Sequence, residues 1–217
     1  MSTSRRVVLS AAVAAPLLAQ FTGARTASAS TASADWGTVS SGWVEVRWTA
    51  QAQAQLDRFG AVIEAVAPAE LVRDAEGSAL RFPVRSGTGD PSLGNLPQAQ
   101  GDGTLDGGVA VRTADGVFQV TDLHSALQDS VASGTCTVNG VEVGHQAVAH
   151  CGLAEGLLTA DGVRLGQPVQ VQLSEVPLRA TPQLLAAYTA TFGEPAFNTD
   201  TVLAYVTAQG LYTPPKA

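Results

Sequence analysis

The tightest constraint on the fold is a pentapeptide that occurs twice, Thr113-Ala114-Asp115-Gly116-Val117 and Thr159-Ala160-Asp161-Gly162-Val163. Its glycine supplies the positive φ that closes a tight turn. The runs on either side, Val109 to Thr113 with Val117 to Leu123 and Leu157 to Thr159 with Val163 to Leu165, read as two β-hairpins. Asn139-Gly140 is a further hairpin signal, of type I′. Val169, Val171 and Leu173 alternate with Gln170, Gln172 and Ser174, the pattern of a half-buried strand. Short alternating runs between turns predict a mainly β fold, an antiparallel β-sandwich or flattened barrel with one or two short helices.

Val44, Val46 and Trp48 alternate with Glu45 and Arg47, so a strand starting at Trp43 carries three apolar side chains on one face. Asp35 to Gly42 reads as a polar lead-in before it. From Thr49 the period changes: Leu56, Phe59, Ile63 and Val66 predict a helix capped by Thr49 and stopped at Ala67 by Pro68. Pro83 places Ala79 to Val84 on an edge strand. Ser86 to Gly108 is too rich in glycine, proline, Asp and Asn for an element interior and predicts a long loop, either a lid or a linker. Thr181-Pro182 opens a second helix that Gly193 closes. Asn198 to Gly210 fits a last strand or a short helix.

Residues 1–34 read as an address. Arg5-Arg6 precedes a moderately apolar run from Val7 to Ala19 and two small-residue cleavage candidates, Ala27-Ser28-Ala29 and Ala32-Ser33-Ala34, the pattern of a twin-arginine export signal. Ser10 and Pro16 interrupt the run, which is too short to span a bilayer. Residues 35–217 are then a single secreted β-rich domain with no membrane span in the mature chain. The composition of the full chain, 45% hydrophobic and 14% charged, supports a packed core. The net charge of -7 becomes more negative once Arg5, Arg6 and Arg25 are removed, and no basic run exists to hold phosphates, which excludes nucleic acid as a partner. In an oxidising compartment Cys136 and Cys151, on either side of Asn139-Gly140, predict a disulfide across the hairpin, worth about 3 kcal/mol for a loop of about 15 residues.

The chemistry-bearing residues are few. Asp122 and His124, two apart, would share a strand face with Phe118 and Val120, and a carboxylate beside an imidazole can fix its tautomer and raise its basicity. His145 and His150, five apart, do not make a ligand pair on a strand or a helix, so no metal is expected. No nucleophile elbow, P-loop, H-E-x-x-H or G-x-G-x-x-G pattern occurs. Trp43, Trp48, Tyr188, Tyr205 and Tyr212 could fill the core or line a pocket for a flat or apolar ligand. The expectation is a secreted, cofactor-free domain that binds a small apolar or planar molecule, or a protein partner, through Trp48, His124 and Tyr188. The alternative is a small exported enzyme, a cyclase or lyase acting on a secondary metabolite, with Asp122 and His124 as its acid–base pair.

Three segments resemble the HtaA-type domains of actinobacterial haem-uptake proteins. They are Trp43 to Val66, Phe82-Pro83-Val84, and Gly107 to Val111 running through Asp115-Gly116 to Leu123. The resemblance implies a β-rich, surface-exposed module in which a tyrosine on the first helix ligates haem iron and a histidine near the central hairpin supports it. This sequence has no tyrosine from Trp43 to Phe59 and has Ala114-Asp115-Gly116 at the hairpin turn, so a haem site would need His124 or Tyr188 in the ligand's place.

Overall fold

The computed structural model describes residues 36–75, 77–90, 100–160, 167–193 and 197–215. Among these lie twelve strands: β1 (Gly37–Trp48), β2 (Val62–Val66), β3 (Glu70–Asp74), β4 (Gly77–Gly89), β5 (Gly101–Leu105), β6 (Gly108–Arg112), β7 (Val117–Ala126), β8 (Val131–Val138), β9 (Val141–Cys151), β10 (Leu157–Ala160), β11 (Val169–Ala180) and β12 (Val202–Thr213). The described residues also hold two α-helices, α1 (Ala50–Arg58) and α2 (Pro182–Phe192). Eight strands close into an antiparallel barrel in the order β7-β5-β4-β1-β12-β11-β9-β8, with β8 pairing back onto β7. Of the two forms expected from the sequence, the barrel is the one adopted, and closure removes the open edges a sandwich would leave. Outside the ring, β6 and β2 continue from the first half of β7, β3 lies on β4, and β10 on β11. No described helix is long and apolar enough to cross a membrane.

Local chemistry places the helices where two barrel strands end. Thr49 follows β1 and its Oγ1 accepts the Ala52 N–H at 3.2 Å. Thr181 follows β11 and accepts the Leu184 N–H at 3.1 Å, with Pro182 in the first turn and Gly193, at φ 92°, at the C-terminus. The first helix is shorter than its period predicts. It ends at Arg58, Gly60 turns the chain at φ 59°, and Ile63 and Val66 belong to β2, paired with β6. Five ladder pairings to β6 outweigh a helical period carried by two β-branched residues.

Three further expectations are corrected. Pro83 is not on an edge strand: β4 pairs with β1 on one side and with β3, then β5, on the other. The Pro83 carbonyl accepts the Asp106 N–H on that second side, so its missing N–H falls between Arg81, where β3 stops, and Val84, where β5 begins. Ser86 to Gly108 is not simply a loop. Thr88 pairs with Asp102 and Gly89 with Gly101 in a glycine-rich β4–β5 ladder, and a Cβ on Gly101 would run into the Thr88 carbonyl at 2.6 Å. Those glycines serve close approach between strands as much as turning. Leu157 to Ala160 pairs with Val171 to Ser174; its predicted partner, Val163 to Leu165, lies outside the described residues, as does the 1–34 export segment. Asn198 to Gly210 resolves into the strand β12, and the lead-in before Trp43 is already β1.

The barrel's inner side is its core. Val44 and Val46 face Phe82 and Leu80 across the β1–β4 ladder, and Leu80 is fully buried. Phe118, Val120, Cys136 and Val143 pack beneath Ala187 of α2. On the outer side Glu45 joins Arg47 and Arg81, Arg47 reaches Asp74 at 2.6 Å, and Arg81 lies 4.7 Å from the Trp43 ring centroid.

Candidate functional site: an apolar lumen capped by two helices

The core does not fill the barrel. A lumen of about 330 Å3 runs between Val44, Phe82, Leu123, Val176 and Val206, with an almost wholly apolar lining. It abuts a second chamber of about 190 Å3 at the end capped by α1 and α2, and Val46, Trp48, Leu123 and Ala149 border both. At the opposite end a mouth of about 170 Å3 opens between Val39, Leu127 and Val171. The first dimension lies at the small end of the range for ligand pockets, and the three spaces line up along the barrel axis.

The structure separates the residues named from the sequence. Trp48 and Tyr188 are brought together: both line the capped chamber, Trp48 from the end of β1 and Tyr188 from α2. His124 borders the lumen at its wall, in a different part of the cavity. The carboxylate beside it is Asp102 of β5, with Oδ1 3.5 Å from His124 Nε2. Asp122 sits in a β7 bulge at φ 49°, exposed. Its charge adds to the pull that keeps the Arg85 guanidinium protonated, most of which comes from the bonded Asp106. A bulge reverses the face of every side chain beyond it, and no two-residue spacing survives that. His145 bonds Ser133 Oγ at 2.9 Å and His150 is exposed. Among the described residues no three His, Cys, Asp or Glu side chains converge as a metal would require.

The predicted disulfide is absent; both cysteines are free. The Asn139-Gly140 turn forms as expected, with φ of 50° and 81°, and its register is what forbids the bond. Cys136 pairs with Gly144, whereas the Cys151 N–H donates to Ser130 at the other end of β8. Six positions along β8, at about 3.3 Å per residue, separate the two by roughly 20 Å, far beyond the reach of about 7 Å that a disulfide allows. A hairpin centred on 139–140 joins neighbours equidistant from the turn, and Cys151 is too far along. Burial pushes both thiols up to about 11. Both should therefore resist iodoacetamide at pH 8 in the native protein and react fully in urea, read by intact mass. A native mass lower by two hydrogens would restore the disulfide.

One buried polar residue of the helical cap escaped the sequence reading. Gln55 on α1 is 6% exposed. The signal was present in the spacing Ala52, Gln55, Leu56, which puts the glutamine on the buried face, but Gln51 and Gln53 beside it made the segment look uniformly polar.

No family model and no curated protein matches the chain. It is similar to two solved structures from Corynebacterium glutamicum. One is the C-terminal domain of HtaA, with 10% identity and a TM-score of 0.49 over 81% of this chain and 99% of that one. The other is the haem-binding protein HtaB, with 13% identity and a TM-score of 0.42 over 82% of this chain and 94% of that one. The first carries the name of the family that the three sequence segments resemble. At these values the likeness says nothing of ligand or residue roles. Haem in the manner the resemblance implies does not fit the residues present: α1 bears no tyrosine, and burial holds the Tyr188 phenol above its ordinary range, against the ionised form that ferric iron prefers.

Proposed function

We propose that this chain is an exported binding protein that takes a small apolar or planar molecule into the barrel. The observation that carries the reading is the continuous apolar lumen of about 330 Å3 joined to a helix-capped chamber. Interiors are ordinarily packed to the density of organic crystals, and a barrel of eight strands fills with its own side chains unless small ones leave room. Ala132, Ala149 and Ala208 leave that room here. An apolar wall of this extent pays for a ligand's desolvation and discriminates little between shapes, so the bound class is defined by low polarity and size.

N-phenyl-1-naphthylamine, a neutral apolar fluorophore, should bind with one-to-one stoichiometry, brighten, and quench Trp48 by energy transfer. His124→Ala should leave its affinity within about twofold, since Asp102 holds that imidazole at the wall. Loss of all binding in that variant would move the site to His124, and no saturable binding to the wild type would end the reading. Haemin in the same titration should give no sharp Soret shift. Export is the other half of the proposal: Arg5 and Arg6 changed together to lysine should leave the precursor in the cytoplasm, and normal secretion would reject a twin-arginine leader.

A further inference from the structure

The three spaces along the barrel axis differ in polarity: the lining is most apolar in the capped chamber and most polar at the open mouth. A molecule with one polar group therefore lies with that group toward the mouth, because carrying it to the capped end would strip its water and put nothing in its place. One hydroxyl is placed to receive it. Among the described residues Ser125 alone brings a hydroxyl to the border of mouth and lumen, a border it shares with Leu105, Leu127 and Ala208. It stands in β7 opposite Gly103 of β5 and Ala132 of β8. A Cβ on Gly103 would come within 3.3 Å of Ser125 Oγ, so the glycine keeps that side of the hydroxyl open.

The hydroxyl is also uncommitted. Among the described residues Ser125 Oγ makes no hydrogen bond, whereas the polar groups near it are paired, Ser86 with Thr104 at 2.7 Å and Asp102 with His124 at 3.5 Å. A half-buried hydroxyl that both donates and accepts matches an alcohol or a carbonyl. An anionic group does not suit the place. Among the described residues no Lys or Arg lines the mouth, and the one charged side chain in its lining is the Asp102 carboxylate, which repels a second negative charge. We infer that Ser125 anchors the polar end of the ligand at the junction of mouth and lumen, and that the barrel selects molecules with an apolar body and one uncharged hydroxyl or carbonyl group at its end. This rests on the lumen being the binding site and adds what that site recognises and which way round the ligand lies.

Three matched probes test it by displacement of N-phenyl-1-naphthylamine: 2-(2-naphthyl)ethanol, 2-propylnaphthalene and the 2-naphthaleneacetate anion. Ser125→Ala should weaken the alcohol about fivefold and leave the hydrocarbon and the fluorophore within about twofold. Ser125→Thr, which keeps a hydroxyl, should hold the alcohol within about twofold of wild type. The carboxylate should bind the wild type more weakly than the alcohol. Equal loss for alcohol and hydrocarbon in Ser125→Ala, no loss for either, or tighter binding of the carboxylate overturns the inference while the lumen stands. If neither the probes nor the fluorophore bind the wild type, the lumen reading fails and this one with it. Urea unfolding separates a purely structural hydroxyl. Ser125→Ala should keep the wild-type midpoint, because the hydroxyl bonds nothing in the free protein, and a clear fall would mean that it serves the fold and not the ligand.

Discussion

Phe82→Ala should destabilise the protein by about 3–5 kcal/mol, against about 0.5 kcal/mol or less for the exposed Val62→Ala. Phe82 is 2% exposed, whereas Val62 on β2 is 54% exposed. The residue stands opposite Val44 on β1 and packs with Ala69 and Leu80 in a cluster that Leu105 of the neighbouring β5 and Leu123 of β7 join. Deleting it removes both its transfer energy and the contacts that tie β4 into that cluster. Because the lumen already leaves space, the walls can relax only by narrowing it, so the mutant should also lose affinity for N-phenyl-1-naphthylamine. Urea unfolding at unchanged slope measures the first effect. A midpoint matching that of Val62→Ala would show that Phe82 is not part of the barrel core.

The second large effect is on binding alone. Ala149 on β9 borders both the lumen and the capped chamber and stands opposite Ala132 of β8. Ala149→Phe should fill the passage between them and weaken the fluorophore at least tenfold, with the far-ultraviolet circular dichroism of the wild type retained and a stability cost of about 1–3 kcal/mol from overpacking. Ala154→Phe, outside the barrel in the short turn after β9, is the control and should bind as wild type does. If Ala149→Phe binds undiminished, the ligand does not cross that passage.

Much of the scaffold can be read from the residues. Period-two alternation in Val44 to Trp48 and Val169 to Leu173, the Asn139-Gly140 turn, and the Thr49 and Thr181 caps are local preferences, decided by neighbours a few positions away, and each appears in the structure where its residues place it. The failures share one cause, which is pairing at long range. Glycines of Ser86 to Gly108 looked like turn residues because the sequence does not show that another backbone passes close to them. Ile63 and Val66 extended a helical period until β6 claimed them for a ladder.

The site follows the same division. Trp48 and Tyr188 were legible as aromatics available to a pocket; that they share one chamber depends on β1 and β11 ending at the same mouth of the barrel and each passing into a helix there. The Asp122–His124 pair failed on a single bulge and the Cys136–Cys151 bond on a register count. Sequence alone determined that the chain is β-rich, where its helices start and which faces of its strands are apolar, because these are set by side-chain periodicity and local backbone preference. Only the tertiary structure decided that the sheet closes, that a lumen remains inside it, and that Trp48 and Tyr188 line one chamber, because each depends on the register in which distant strands pair and on which volumes the closed ring leaves unfilled.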